Sequence, residues 1–301
     1  MTTVIQADQL TKRYGSVVAL DALNLAVDQG EVYGYLGPNG SGKTTTIRLL
    51  LGLHRPTSGS ARLLDIDAWR DPVEAHRRVA YVAGEPTLWP SLTGSETFDF
   101  LANVHGSVDR AYRDVLTKRF DLDPTRRVRE YSKGNRQKIQ LIAAFATRAE
   151  LLILDEPTSG LDPLMEVAFR TTVQEAKDRG QTIFLSSHIL SEVETLCDRV
   201  GILRLGRLVE EGTLEQLRHL SAHTVEVTFA EPISGFPSLP NVDMTAAGER
   251  SLRFHVHGSV GPLVTALASY PVVTLTSREP SLEEIFLVHY QGSEEASHVG
   301  A

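Results

Sequence analysis

Short apolar bursts separated by polar positions open the chain: Val4-Ile5, Val17-Val18-Ala19-Leu20, then Leu23 to Val27. Such alternation predicts a region of antiparallel strands. Val32-Tyr33-Gly34-Tyr35-Leu36 is nearly continuous in apolar character and reads as a buried strand. It runs into the glycine-rich turn Gly37 to Gly42, after which Ile47, Leu50 and Leu51 share one helical face. Strand, glycine loop and helix in that order open a doubly wound α/β domain.

From about Glu85 to Arg148 the strand pattern gives way to helical spacing. Phe98, Leu101 and Ala102 share a face, as do Ile139, Ile142 and Phe145. This stretch reads as a helical insertion in the α/β core. Strand patterns return at Leu151 to Leu154, Thr182 to Leu185 and Val200 to Leu203, separated by helical segments at about 163–178 and 188–197. After Leu220 the texture changes. His223 to Phe229 and Leu252 to His257 alternate like strands around a Pro- and Gly-rich stretch, Val272 to Thr276 is a further strand, and Leu282 to Val288 reads as a closing helix. We therefore expect a first domain over residues 1–220 and a small α+β domain over 221–301 with a frayed polar tail. No internal repeat is visible.

Composition narrows the class. The chain has 301 residues, 42% apolar, with 30 basic against 38 acidic residues and a net charge of −8. That balance argues against a surface-wide nucleic-acid binder. A single cysteine, Cys197, excludes an intrachain disulfide and fits a reducing compartment. The N-terminus lacks the basic start and apolar core of a signal peptide. The longest stretch free of Asp, Glu, Lys and Arg, Phe254 to Ser277, is broken by Pro262 and Pro271, so it does not qualify as a spanning helix. The basic cluster Arg126, Arg127, Arg129, Lys133, Arg136 and Lys138 lacks interleaved aromatics beyond Tyr131 and reads as a solvated face. His255 and His257 lie two apart with no further ligand in view, so no metal is expected there.

Gly37-Pro38-Asn39-Gly40-Ser41-Gly42-Lys43-Thr44 fits G-x-x-x-x-G-K-[ST], and Thr45 follows. Glycines at this spacing let backbone N–H groups close around phosphate oxygens, and the next helix adds its positive end. Lys43 would reach the β- and γ-phosphates, and the Thr44 hydroxyl would bind Mg²⁺. Asp155-Glu156 follow the apolar strand Leu151 to Leu154, at the carboxyl end where open α/β sheets build their sites. Asp155 would hold the metal, and Glu156 would act on the attacking water as base or orienter.

Several further segments resemble the ATP-binding-cassette (ABC) family. Tyr131-Ser132-Lys133-Gly134-Asn135-Arg136-Gln137 is similar to its LSGGQ signature, with Lys133 for the first glycine and Asn135 for the glutamine. Pro157-Thr158-Ser159-Gly160-Leu161-Asp162 resembles the D-loop, and Ser186-Ser187-His188 the switch-histidine segment. The resemblance covers about residues 4–220. It implies a P-loop nucleotide-binding domain with a RecA-like core, an antiparallel β subdomain and a helical subdomain at about 85–148. It also implies that Ser132, Lys133, Gly134 and Asn135 contact the ATP held by a partner subunit, that Asp162 carries signals across the dimer, and that His188 bonds the γ-phosphate. Tyr14, in Lys12-Arg13-Tyr14-Gly15, resembles the adenine-stacking aromatic; the lesser alternative is a half-buried strand-end tyrosine. In Tyr81-Val82-Ala83-Gly84-Glu85-Pro86 the family's Q-loop glutamine falls on Gly84. Glu85 then either takes over the metal-side contact or faces solvent in a hinge.

The activity implied is ATP hydrolysis by a dimer closing around two ATPs, with ATP and Mg²⁺ as cofactors. Both half-sites occur in the one chain, so a homodimer is the simplest pairing. In transporters such a subunit drives a separate integral membrane permease and sits at the cytoplasmic face of the membrane. Trp89 falls where that permease would dock, as an anchor or as a core residue. Ser186 to Glu194 and Glu279 to Leu287 resemble ATPases of ABC-2-type and drug-resistance exporters, pointing to a drug, lipid or other hydrophobic or polymeric substrate. The alternative is a soluble ABC ATPase acting on nucleic acid or ribosomes. A P-loop kinase would leave the signature segment and His188 without a role.

Overall fold

The computed structural model describes residues 2–220, 223–233, 235–278 and 281–285. Two compact units make up the chain, one ending at Glu211 and one beginning at Gly212.

The first unit opens with β1 (Thr3–Tyr14) and β2 (Val17–Asp28), an antiparallel pair, so the two later apolar bursts belong to one long strand. β3 (Val32–Leu36) leads through the glycine turn into α1 (Lys43–Leu50). β4 (Ser58–Leu63) and β5 (Ile66–Asp67) complete a sheet in the order β2-β1-β4-β5. After α2 (Pro72–His76), β6 (Val79–Val82) enters the central sheet. The helical insertion contains α3 (Gly94–His105), α4 (Arg110–Arg119) and α5 (Lys133–Ala146). A reciprocal capping box between Thr93 and Glu96 starts α3, and Asp109 caps α4.

β7 (Leu151–Asp155), α6 (Pro163–Asp178), β8 (Thr182–Ser187), α7 (Leu190–Leu196), β9 (Arg199–Arg204) and β10 (Arg207–Thr213) close the unit. The central sheet runs β10-β9-β3-β8-β7-β6, with β9, β3, β8, β7 and β6 parallel. β3, β7 and β8 are buried throughout, which explains their continuous apolar runs. One core joins both sheets: Leu10, Leu20 and Leu23 pack with Tyr33, Tyr35, Ile47, Leu50 and Phe184. Each such large side chain contributes about 1.5–3 kcal/mol when fully buried. The phosphate turn therefore stands on a rigid base.

The second unit begins earlier than the composition suggests. Thr213 and Gln216 form a capping box at the start of α8 (Leu214–Leu220), so a new element starts there. β11 (His223–Phe229), β12 (Val242–Gly248), β13 (Ser251–Val256) and β14 (Val272–Arg278) form a sheet in the order β12-β13-β11-β14. α9 (Gly261–Leu267) buries Leu263 and Leu267 against Val225, Val227, Phe229 and Phe254. The expected closing helix is described only over 282–285; its remainder, the tail and the Glu279-Pro280 start of the exporter-like segment lie outside the described residues.

Candidate functional site

The turn between β3 and α1 is built from glycine by necessity. Gly42 has φ +115° and Gly40 φ +83°, a region that β-carbons disfavour. A Cβ on Gly37 would lie 2.4 Å from Ser41 Oγ and 2.6 Å from the Leu203 carbonyl oxygen. Pro38 is half-buried while Asn39 and Gly40 face solvent. Lys43 is buried, and its Nζ donates to the Gly37 carbonyl (2.6 Å) and the Pro38 carbonyl (3.2 Å). Burial lowers the Lys43 pKa, opposed by the charges of Glu156 and Asp155. The Ser41 hydroxyl is buried with no hydrogen-bond partner among the described residues. A cation turned onto its own loop and an orphaned hydroxyl beside it make a cradle whose donors suit phosphate oxygens.

β7 delivers Asp155 and Glu156 to the same place. Thr44 Oγ1 donates to Asp155 Oδ2 (3.2 Å), and Ser186 Oγ donates to Oδ1 (2.5 Å). Asp155 is buried, which raises its pKa, while these hydroxyl bonds pull it back. Thr44 is exposed and Thr45 half-buried. A hydroxyl and a carboxylate side by side are hard oxygen donors that fit Mg²⁺. When bound, the metal would supply positive charge against a triphosphate. Glu156 adopts φ +46°, held by its amide donating to the Ser186 carbonyl (3.0 Å). Its Oε1 lies 3.6 Å from Lys43 Nζ and 3.3 Å from His188 Nδ1. The sequence-predicted residues Lys43, Thr44, Asp155, Glu156 and His188 thus converge at the carboxyl ends of β3, β7 and β8.

Glu85 does not join them. It is exposed, and among the described residues no hydrogen bond or ion pair links it to Thr44, Asp155 or Glu156. The close neighbour of the site is Gly84, where a Cβ would lie 3.2 Å from the Asp155 carbonyl oxygen. Tyr14 ends β1 half exposed; its hydroxyl pairs with His54 Nδ1 (2.6 Å) and Lys12 Nζ stands 4.9 Å from its ring centroid.

The signature segment forms a second cluster. Ser132 caps α5 by accepting from the Asn135 amide (3.3 Å), and Lys133 Nζ donates to Ser159 Oγ (3.0 Å). Asp162 caps α6, accepting from the Leu164 and Met165 amides. Gln137, buried, donates to the Pro157 carbonyl (3.1 Å) and ties α5 to the segment after Glu156. Among the described residues no hydrogen bond joins residues 132–135 to residues 37–45, the separation expected if this cluster serves another subunit's nucleotide. Lys138 departs from the expected solvated face, being only 8% exposed.

A bacitracin transport ATP-binding protein, BcrA of Bacillus licheniformis, is 35% identical over 297 residues, covering 95% of this chain and 97% of that one. The chain belongs to the ABC transporter family. The family model for ABC transporters matches residues 20–159. A daunorubicin resistance ATP-binding protein, DrrA3 of Streptomyces coeruleorubidus, is 33% identical and covers 97% of both chains. Among solved structures, an ATP-binding subunit of an ABC transporter superposes with a TM-score of 0.68 at 33% identity, covering 72% of this chain and 92% of that one. The cassette is therefore an ATP-hydrolysing one.

The cassette also carries a groove of about 820 Å³, walled by Leu51, Tyr81, Ala83, Glu85, Trp89 and Gln140 among others. Trp89 is 51% exposed there, packed edge-on against Phe100 with ring centroids 4.5 Å apart, so it is not a core residue. Gln140 on α5 accepts from the Ala83 amide (2.9 Å), fastening the segment that lacks the family's glutamine to the signature helix. Ser186, Gln137 and Gln140 were not singled out from sequence. Ser186 and Gln137 lie within the quoted motifs, whereas Gln140 has no local mark.

Proposed function

We propose that this cassette pairs with a second copy of itself at the cytoplasmic face of a membrane and powers a separate permease exporting a drug, lipid or other hydrophobic or polymeric substrate. The observation that carries the reading is whole-length similarity: the bacitracin and daunorubicin relatives match through the second unit as well as the cassette. Among the described residues no helix is long and apolar enough to cross a membrane, so the pathway would belong to another chain.

In this reading each ATP lies between the Lys43 loop of one subunit and Ser132, Lys133, Gly134 and Asn135 of the other. Tyr14 stacks on adenine, and Glu156 takes up or orients the proton of the attacking water while His188 donates to the terminal phosphate. Glu85 lines the groove, where it would meet the permease rather than the metal. Moving the pair from about 1:99 to 99:1 closed takes about 5.5 kcal/mol of differential binding. A few hydrogen bonds to charged phosphate, at about 1.5–3 kcal/mol each, are of that order. Hydrolysis removes them, and the pair opens.

Co-purification from detergent-solubilised native membranes tests the reading, using Glu156→Gln with ATP and Mg²⁺ to slow hydrolysis and hold the closed pair. Recovery of a polytopic membrane protein is the expected result. Recovery of ribosomes or DNA, with nothing from the membrane, would replace transport by a soluble ABC ATPase.

A further inference from the structure

Behind the switch segment lies a small cavity of about 130 Å³ lined by Thr158, Glu166, Phe169, Arg170, Ile189 and Glu192, among others. Glu192 is its chemically conspicuous member. One carboxylate oxygen, Oε2, accepts a hydrogen bond from the Ser187 hydroxyl (2.8 Å), and Thr158 lines the same cavity. The other oxygen, Oε1, is buried and has no partner among the described residues. A hydroxyl has one proton to give. Because Ser187 gives its proton to Glu192, its lone pairs are turned to the Ile189 amide, which donates to it at 2.9 Å. The residues on both sides of His188 are thereby held by one carboxylate.

A purely structural account of Glu192 is unattractive. Burying a carboxylate with an unpaired oxygen costs stability, and an apolar side chain would fill the space more cheaply. Burial raises the carboxyl pKa, opposed by the Ser187 and Thr158 hydroxyls; Glu166 raises it further and His188 lowers it. What the fold obtains for that cost is a fixed backbone on both sides of His188. Thr158 lies two positions after Glu156, and Ser187 immediately precedes His188, whose Nδ1 stands 3.3 Å from Glu156 Oε1.

We propose that Glu192 is a positioning residue for ATP hydrolysis: through Ser187 it fixes the backbone that presents His188, at a cavity whose wall it shares with Thr158 of the Glu156 segment. The proposal rests on His188 acting at the γ-phosphate. It adds a residue that acts through its neighbours rather than on the nucleotide, four positions after the histidine in the first turn of α7.

The test is steady-state MgATP hydrolysis by the full-length chain, with thermal melting recorded for every variant. Glu192→Ala and Ser187→Ala should each lower kcat about tenfold with KM for ATP held within about twofold, the split expected when an interaction serves the transition state. Glu192→Gln keeps an acceptor for Ser187 and should restore kcat to within about threefold of the parent. In a His188→Ala background, Glu192→Ala should cost less than about twofold more, since residues acting as a unit are non-additive. Should Glu192→Ala melt early, Ser187→Ala cuts the same link and carries the same comparison. A kcat within twofold of the parent for a folded Glu192→Ala overturns the proposal, as does a loss that multiplies undiminished in the His188→Ala background. If His188→Ala alone leaves kcat unchanged, the reading of the histidine fails and this inference falls with it.

Discussion

Gly134 and Gly160 meet backbone to backbone: a Cβ on Gly134 would stand 2.3 Å from the Gly160 carbonyl oxygen. The signature helix and the D-loop therefore interlock within one subunit. Gly160 has φ +84°, a conformation that favours glycine, so the obstructing carbonyl belongs to backbone rather than to a flexible side chain. Gly134→Ala should cost about 1–3 kcal/mol by overpacking and lower the melting temperature accordingly. It should also reduce hydrolysis if, as proposed, the displaced loop carries the surface that meets the partner's ATP. Gly106→Ala is the comparison. There φ is +85° with nothing within 4 Å, so strain should lower stability while kcat stays near the parent value. Equal kinetics for the two variants would mean that the Gly134 contact has no functional weight.

The candidate site was legible because it is built from short runs of consecutive residues. Glycines at fixed spacing, a buried strand ending in Asp155-Glu156 and a second ending in Ser187-His188 are local patterns, and parallel pairing of β3, β7 and β8 brings their ends together. Elements whose side chains stay in water left no such trace. β12 is exposed over most of its length, and β4 offers only Ala61 and Leu63 to the core. β14 was readable although it is exposed throughout, because its β-branched residues mark a strand without burial. Glu192 and Gln140 were illegible for another reason. Gln140 acts through the Ala83 amide 57 residues away and nothing local marks it, whereas Glu192 lies inside the quoted Ser186 to Glu194 segment and only its burial with an unpaired oxygen sets it apart.

Asp155 trades stability for function. Burial raises its folded-state pKa, so above the ordinary carboxylate range the folded chain gives up a proton less readily than the unfolded one, and its stability falls as pH rises. Asp155→Asn removes that penalty. The variant should melt about 2 °C higher than the parent near neutrality without nucleotide, the shift that ~1 kcal/mol gives a unit of this size. The difference should shrink as pH falls into the carboxylate range, where the parent is protonated in both states. MgATP hydrolysis should be lost. A parent that melts above the variant at neutral pH would show that Asp155 is stabilising, against this account.

Trp89 stands half exposed on the groove wall, and aromatic anchors of this kind concentrate binding energy at interfaces. Trp89→Ala, placed in the Glu156→Gln chain, should cut recovery of the membrane partner at least about tenfold, the effect of losing a hot spot worth ~1.4 kcal/mol or more. Removing its contact with Phe100 should cost the isolated chain no more than about 0.5–1.5 kcal/mol. Undiminished recovery would move the docking site away from this groove.

Glu175 on α6 holds the helical insertion to the core with pH dependence opposite to that of Asp155. Arg119 from α4 donates to both its oxygens, Nη2 to Oε1 at 2.6 Å and Nη1 to Oε2 at 2.9 Å, and the Tyr112 hydroxyl adds a third bond at 2.9 Å. The Tyr112 ring lies near two further guanidinium groups, with Arg148 4.3 Å and Arg179 4.7 Å from its centroid. The Arg119 bond is the main reason the Glu175 carboxyl is held below its usual range. A lowered carboxyl pKa contributes stability above the unfolded value and loses it as pH falls through the folded one. The Glu175 side chain is 36% exposed, so solvent screening limits the contribution. Glu175→Gln should therefore destabilise the chain by only about 1 kcal/mol at neutral pH, the upper end for an exposed pair, and less at high salt. Its melting curve should approach that of the parent as pH drops through the carboxylate range, whereas the Asp155→Asn advantage disappears over the same interval. If the Glu175→Gln deficit is unchanged between neutral and acid pH, the ion pair is not what joins α4 to α6.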